Sequence, residues 1–182
     1  TDAIGKRLSE LAGEFHDSPI EAAIQLILGD QLQTTSVHFS MSEDHLRDTL
    51  TWPFVMAGSD GSIQSGVGPD SGQHCHPRAY GTPARLLGTY VRQTGVLDWP
   101  TAIHKLTGLP AESLKLADRG RLADGLYADV TVFDPATIAD RATYAAPTMP
   151  PDGVDHVIVN GQQVVHHGRH TGARPGRLIR HS

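Results

Sequence analysis

The sequence predicts an α/β fold followed by a separate β region, and three observations support this. Apolar residues recur with a helical period between residues 4 and 28. Short β-branched or apolar runs then alternate with a helical stretch between residues 34 and 61. From about residue 118 the pattern turns to strand-like alternation around an Asn-Gly pair. With 182 residues, 38% of them hydrophobic, the chain can bury one substantial core.

The elements follow in order. Ile4, Leu8, Leu11, Ala12 and Phe15 share one helical face. In "SPIEAAIQLIL", Ser18 suits an N-cap, Pro19 the first helical position and Glu21 a capping box. Behind that cap, Ile20, Ala23, Ile24, Ile27 and Leu28 form a stripe expected to be buried. Residues 34–40, "TTSVHFS", read as a strand; Ser42 caps a helix over 42–50; Phe54 to Ala57 reads as a strand buried on both faces, as in a parallel sheet. After a Gly-rich loop, Thr82 and Pro83 are expected to open a helix running to about Thr94, with Leu86, Leu87, Tyr90 and Val91 inward. A further helix carries Ala102, Ile103 and Leu106 and stops at Gly108.

The second region begins with "YADVTVFDP" (127–135), an alternating strand. A connection containing Pro147, Pro150 and Pro151 follows it. Residues 155–168 then form a hairpin turning at Asn160 and Gly161 in a type I′ turn. Arg169, Arg174, Arg177 and Arg180 punctuate a tail read as solvated or docked on the surface.

Several function classes are disfavoured at once. A net charge of −5 without clustered Lys and Arg argues against nucleic acid as a partner. No apolar run approaches the roughly 20 residues that span a bilayer, so no membrane partner is expected. Cys75, the single cysteine, has no intrachain disulfide partner, which suits a reducing, cytoplasmic location. Two parallel-type strands leave open sheet edges, whereas a closed (β/α)8 barrel takes about 250 residues. The chain therefore reads as incomplete, with further polypeptide expected before Thr1.

The candidate chemistry lies in "GSDGSIQSGVGPDSGQHCHPR" (58–78). Asp60 follows the expected buried strand, at the strand end where α/β folds gather catalytic groups; an Asx-turn aspartate is the alternative. His74, Cys75 and His76 have the look of a metal clip, but the adjacent Arg78 is electrostatically unfavourable beside a cation. His74 and Cys75 are read as polar filler, and His76 stays open. Arg78, on a Pro-stiffened turn before a helix, suits a bidentate grip on a carboxylate, with a surface ion pair as the alternative. The other histidines, among them His16, His104, His156, His166 and His167, show no ligand spacing and are read as surface or structural.

The stretches "MAGSDGS", "HPRAYGTPARLLGTYVRQTGVL", "GLYADVTVFDP" and "VNGQQV" together resemble the C-terminal part of bacterial N-acyl-D-amino-acid deacylases (D-aminoacylases) of the metal-dependent amidohydrolase superfamily. That resemblance implies the C-terminal portion of a (β/α)8 barrel over residues 1–117 and strands of a small β-sandwich over 118–182. It also implies Zn2+ as cofactor, with Asp60 at the metal centre and acting as general base, and the remaining ligands upstream of this chain. Arg78 matches the arginine that binds the substrate carboxylate, while Met41, His38 and His76 fall at substrate-pocket positions. The implied substrate is an N-acyl-D-amino acid, and the implied partner is the N-terminal part of the same enzyme or a second chain. Two other readings compete. One is a hydantoinase-like or dihydroorotase-like cyclic amidase, against which the "HPR" and "YVR" segments weigh; the other is a non-catalytic subunit docking through its apolar faces.

Overall fold

The computed structural model describes residues 3–15, 18–34, 36, 38–62 and 75–179, in two compact units, 1–40 and 41–182. The first unit is a helix pair, α1 (Leu8–Phe15) and α2 (Pro19–Gly29). Ser18 caps α2 as its sequence demands, its Oγ accepting the Glu21 N–H at 3.3 Å, with Pro19 in the first turn where no partner is needed for its missing N–H. Among the described residues of this unit, Leu11, Ala12 and Ala22 are buried. The expected inward stripe of α2 is instead exposed: Ile20 is 72% accessible, and Ile24, Ile27 and Leu28 are open too. The helix buries itself at Ala22, whose short side chain permits close approach, and no described residue covers the Ile-Leu stripe. The strand expected over 34–40 is absent among the described residues there.

In the second unit α3 (Glu43–Thr51) starts at Ser42, whose Oγ accepts the His45 N–H at 3.4 Å, with Glu43 and Asp44 placed favourably against the helix dipole. The buried strand expected over 54–57 is also absent. Phe54 is 71% exposed, and the segment is tied to Lys105 rather than to a neighbouring strand, the Ala57 N–H donating to Lys105 O at 3.2 Å and Val55 O accepting from Lys105 Nζ. A strand is defined by its neighbours, and the four described strands all belong to a sheet built from residues 130–170.

Helix α4 (Arg78–Arg85) has Pro77 as its N-cap, five residues ahead of the expected Thr82. Pro83 therefore sits inside the helix, where it has no N–H to donate; Thr82 Oγ1 donates to Arg78 O at 2.9 Å. The helix then widens into a π-helical segment, Leu86–Gln93, which ends with Thr94 N–H reaching five residues back to Thr89 O at 2.9 Å. Leu86, Leu87, Tyr90 and Val91 point into the core as expected, beside Leu50, Leu97, Ala102 and Ile138. Asp98 caps α5 (Trp99–Leu106) by accepting the Thr101 N–H at 2.9 Å, and a short α6 (Gly108–Ser113) follows directly.

Lys105, on α5, is only 1% exposed. Its Nζ donates to the carbonyls of Trp52 and Val55, the latter at 2.8 Å, so the ammonium anchors the non-helical segment after α3. Burial lowers its pKa below the ordinary lysine value.

The β region is one antiparallel sheet in the order β1 (Val130–Phe133), β2 (Val154–Val159), β3 (Gln162–His166), β4 (Arg169–His170). Asn160 (φ 48°) and Gly161 (φ 80°) form the expected type I′ turn. Asp129 locks that turn by accepting the Asn160 N–H at 2.7 Å through Oδ1 and pairing through Oδ2 with Arg119, whose guanidinium lies 4.7 Å from the Tyr127 ring centroid. A second tight turn, His167 (φ 46°) and Gly168 (φ 71°), joins β3 to β4. Residues after β1 return to the helices: Ile138 enters the core, and a Cβ on Gly88 would lie 2.6 Å from the Ile138 carbonyl oxygen. Among the described residues no helix is long and apolar enough to cross a membrane.

Candidate functional site

Asp60 stands where the non-helical segment after α3 turns. Its backbone is left-handed (φ 47°), a conformation aspartate tolerates better than most residues. The Gly61 N–H donates to Ser59 Oγ at 3.1 Å, which fixes the turn. Gly61 is required for packing as well, since a Cβ there would lie 2.8 Å from Ala79 Cα. That close approach to the first turn of α4 brings Asp60 Oδ2 to 2.9 Å from Arg78 Nη2. The aspartate side chain is 90% exposed and the arginine 43%, so the pair faces solvent. Asp60, Gly61, Ser62, Cys75, His76, Arg78 and Ala79 border a crevice of about 100 Å³.

His76 supports the arginine from behind. Its Nδ1 accepts the Arg78 backbone N–H at 3.1 Å, while Nε2 lies 3.3 Å from Tyr144 Oη and the two rings meet edge to face. Burial first, and the Arg78 charge second, lower its pKa. With Nδ1 accepting, the neutral ring carries its proton on Nε2 and donates it to the tyrosine oxygen.

Of the predicted site residues, then, Asp60, His76 and Arg78 come together in one crevice. Met41 precedes α3 with its side chain exposed and does not border that crevice. His38 belongs to the 1–40 unit, where its Nε2 lies 2.9 Å from Ser36 Oγ. Cys75 is a half-buried free thiol at the crevice wall. His74 lies outside the described residues, so the His74-Cys75-His76 clip does too. A larger hollow of about 390 Å³ borders the 121–130 loop; among its lining residues only Arg121 and Asp124 are charged.

A catalytic zinc ion takes three protein ligands and keeps one position open. The crevice carries donor types that zinc accepts, an exposed carboxylate oxygen on Asp60 and the side chains of Cys75 and His76, but among the described residues these do not form a three-ligand cluster. Among the described residues the one cluster of metal-ligating side chains lies elsewhere, at His156, His166 and His167. In the sequence they show no ligand spacing on a shared face and read as surface or structural, whereas strand pairing brings them together. The Asn160-Gly161 turn alone would set His156 opposite Val165 and send His166 to the other face; the register shift between Val157 and Ile158 pairs His156 with His166 instead, and nothing in the sequence pattern signals that shift.

The chain belongs to the amidohydrolase family, whose model matches residues 9–165. It is 39% identical to an N-acyl-D-glutamate deacylase of Alcaligenes xylosoxydans xylosoxydans over 97% of its length, which is 33% of that enzyme. Among solved structures it superposes on a D-aminoacylase studied for its binuclear metal centre with a TM-score of 0.77 and 37% identity, covering 93% of this chain and 33% of that one. It also superposes on a zinc-bound N-acyl-D-glutamate deacylase from Bordetella bronchiseptica in complex with a phosphonate inhibitor that mimics the tetrahedral intermediate, with a TM-score of 0.74 and 35% identity, covering 88% of this chain and 31% of that one. The chain thus spans about a third of the length of the relatives it matches.

Proposed function

We propose that these residues form the C-terminal third of a zinc-dependent N-acyl-D-amino-acid deacylase, which hydrolyses a linear amide to a carboxylate and a free D-amino acid. Residues 1–117 would complete the (β/α)8 barrel and 118–182 would contribute to a small β-sandwich. The observation that carries this reading is the juxtaposition of Asp60 and Arg78, a proton acceptor and a carboxylate-binding group 2.9 Å apart, in a chain of amidohydrolase sequence. The exposed stripe of α2 and exposed Phe54 are surfaces that the remaining two thirds of such an enzyme would cover.

In this reading Arg78 leaves Asp60 to bind the carboxylate of the acylated amino acid. It sits in the first turn of α4, where the helix dipole adds to its positive charge. His76 holds the arginine backbone in place and, being neutral, does not compete for the anion. Asp60 would be one ligand of the zinc and would accept the proton of the attacking water, then deliver it to the amine nitrogen as the C–N bond breaks. When bound, zinc supplies a polarised carbonyl and a water whose pKa is lowered toward about 7; its other ligands would come from outside these 182 residues. Met41 and His38 are the proposed contacts to the substrate's side chain.

The test uses the complete protein with an N-acyl-D-amino acid and its C-terminal amide. Arg78→Ala should raise KM for the acid by roughly 10- to 100-fold, the loss of a charge-assisted hydrogen-bond pair, and leave KM for the amide nearly unchanged. Equal effects on both substrates would remove the clamp from the proposal, and unchanged kcat in Asp60→Asn would remove the base.

A further inference from the structure

We propose that His156, His166 and His167 form a site for a divalent transition-metal ion on the β-sheet. It uses none of the residues of the Asp60–Arg78 crevice. Its construction follows from the register of the sheet. His156 on β2 is the cross-strand partner of His166 on β3, so both side chains leave the same face with Cβ atoms about 5 Å apart. His167 would point to the opposite face if β3 continued. It is instead the first residue of the β3–β4 turn, with φ at 46°, and this left-handed backbone swings its ring back beside the other two. The turn itself is docked on β2, since the Gly168 N–H donates to Asp155 O at 3.1 Å.

The resulting geometry is close to that of a metal site. Ring centroids lie 5.2 Å apart for His156 and His166, 4.9 Å for His156 and His167, and 4.4 Å for His166 and His167. One ring nitrogen from each lies within 4.8 Å of the others. Three nitrogens about 2.0–2.1 Å from one tetrahedral ion stand about 3.3 Å from one another, so donors within 4.8 Å of one another need draw in by no more than about 1.5 Å. His166 and His167 are exposed and His156 partly buried, so two of the three rings can move and the fourth position opens to water.

Gln163 completes the site in the way outer-shell groups do. Its Nε2 lies 2.9 Å from His156 Nδ1 and 3.1 Å from His166 Nδ1, and the amide oxygen takes that place when the group is turned over. With the amide turned so that Oε1 faces the rings, it accepts Nδ1–H from both histidines and leaves their Nε2 lone pairs for the ion. Three imidazoles without a thiolate select borderline ions such as Zn2+, Ni2+ and Cu2+ over Mg2+ or Ca2+. The ion would tie β2 to the β3–β4 turn, a structural role that does not require the deacylase reading.

The experiment is calorimetric titration of Zn2+ into the metal-stripped complete protein and into its His166→Gln/His167→Asn variant, asparagine being chosen because it tolerates the left-handed backbone. The wild type should take up one equivalent more than the variant. A Gln163→Ala protein should retain that equivalent with roughly 10- to 100-fold weaker affinity. Equal stoichiometry in wild type and double variant, with matching circular dichroism spectra in the absence of metal, would overturn the proposal. A site of this kind does not depend on catalysis, so the extra equivalent is expected even if the protein hydrolyses no N-acyl-D-amino acid.

Discussion

Replacing Lys105 by Met tests whether a buried ammonium positions the segment that ends at Asp60. The substitution keeps most of the stem and removes two hydrogen bonds, to the carbonyls of Trp52 and Val55. Bonds from a charged donor contribute about 1.5–3 kcal/mol each. Against this, removing a buried charge relieves a desolvation cost of several kcal/mol. Trp52 is exposed and Val55 only partly buried, so water can reach the freed carbonyls and reduce the loss further. The net local destabilisation expected is about 1–3 kcal/mol, or 10- to 100-fold faster amide exchange over residues 52–60. Ala57 is the reporter of choice, because its N–H is bonded to the Lys105 carbonyl. Hydrogen exchange resolved by mass spectrometry measures it, with helix α3 as an internal reference. If exchange in 52–60 were unchanged, the ammonium would not be the anchor, and the placement of Asp60 would need another cause.

Two further outcomes follow from the same contacts. Gly88→Ala should destabilise the protein by about 1–3 kcal/mol in urea unfolding, because the new Cβ would meet the Ile138 carbonyl oxygen at 2.6 Å and neither backbone can yield. For His76 the sign is set by its lowered pKa: as pH falls below about 6.5 the unfolded chain binds a proton that the folded ring resists. The stability that the neutral ring contributes is present above that value and is lost as pH falls through the folded pKa. In His76→Gln this part of the pH dependence should vanish, and an identical acid limb in both proteins would contradict it.

Local signals in the sequence were faithful where the chain's own neighbours decide the outcome. Ser18 and Ser42 cap helices, Asn160-Gly161 turns the hairpin, and Leu86, Leu87, Tyr90 and Val91 fill the core. They failed where the outcome depends on a partner. Phe54 to Ala57 has the composition of a doubly covered strand, and the α2 stripe that of a buried face, yet Phe54 and Met56 are exposed while only Val55 and Ala57 turn partly inward, and the α2 stripe lies open. Composition records what a segment is suited to touch, not whether it touches it within these residues. Helix α4 departs from the sequence for a different reason: Thr82-Pro83 has the composition of a helix start, but a helix already begun at Arg78 carries Pro83 inside it and runs on into the π-helical segment after Arg85. The site was legible as residue types at Asp60 and Arg78, but their contact was not, because it depends on Gly61 letting the turn close on Ala79.

That contact has a consequence for binding. If Arg78 receives the substrate carboxylate, it must first give up the carboxylate of Asp60, so the two anions compete for one guanidinium. The cost of the exchange is small, because the pair is exposed and such pairs are worth about 0–1 kcal/mol. Removing the competitor should therefore tighten binding slightly even while it removes the proposed base. In metal-stripped complete protein, where no ion at Asp60 complicates the comparison, Asp60→Asn should bind an N-acyl-D-amino acid up to about 5-fold more tightly than wild type by calorimetry. The same substitution made together with Arg78→Ala should give no such gain. Weaker binding in the single variant would mean that Asp60 holds Arg78 in position for the substrate, and competition between the two carboxylates would have to be abandoned.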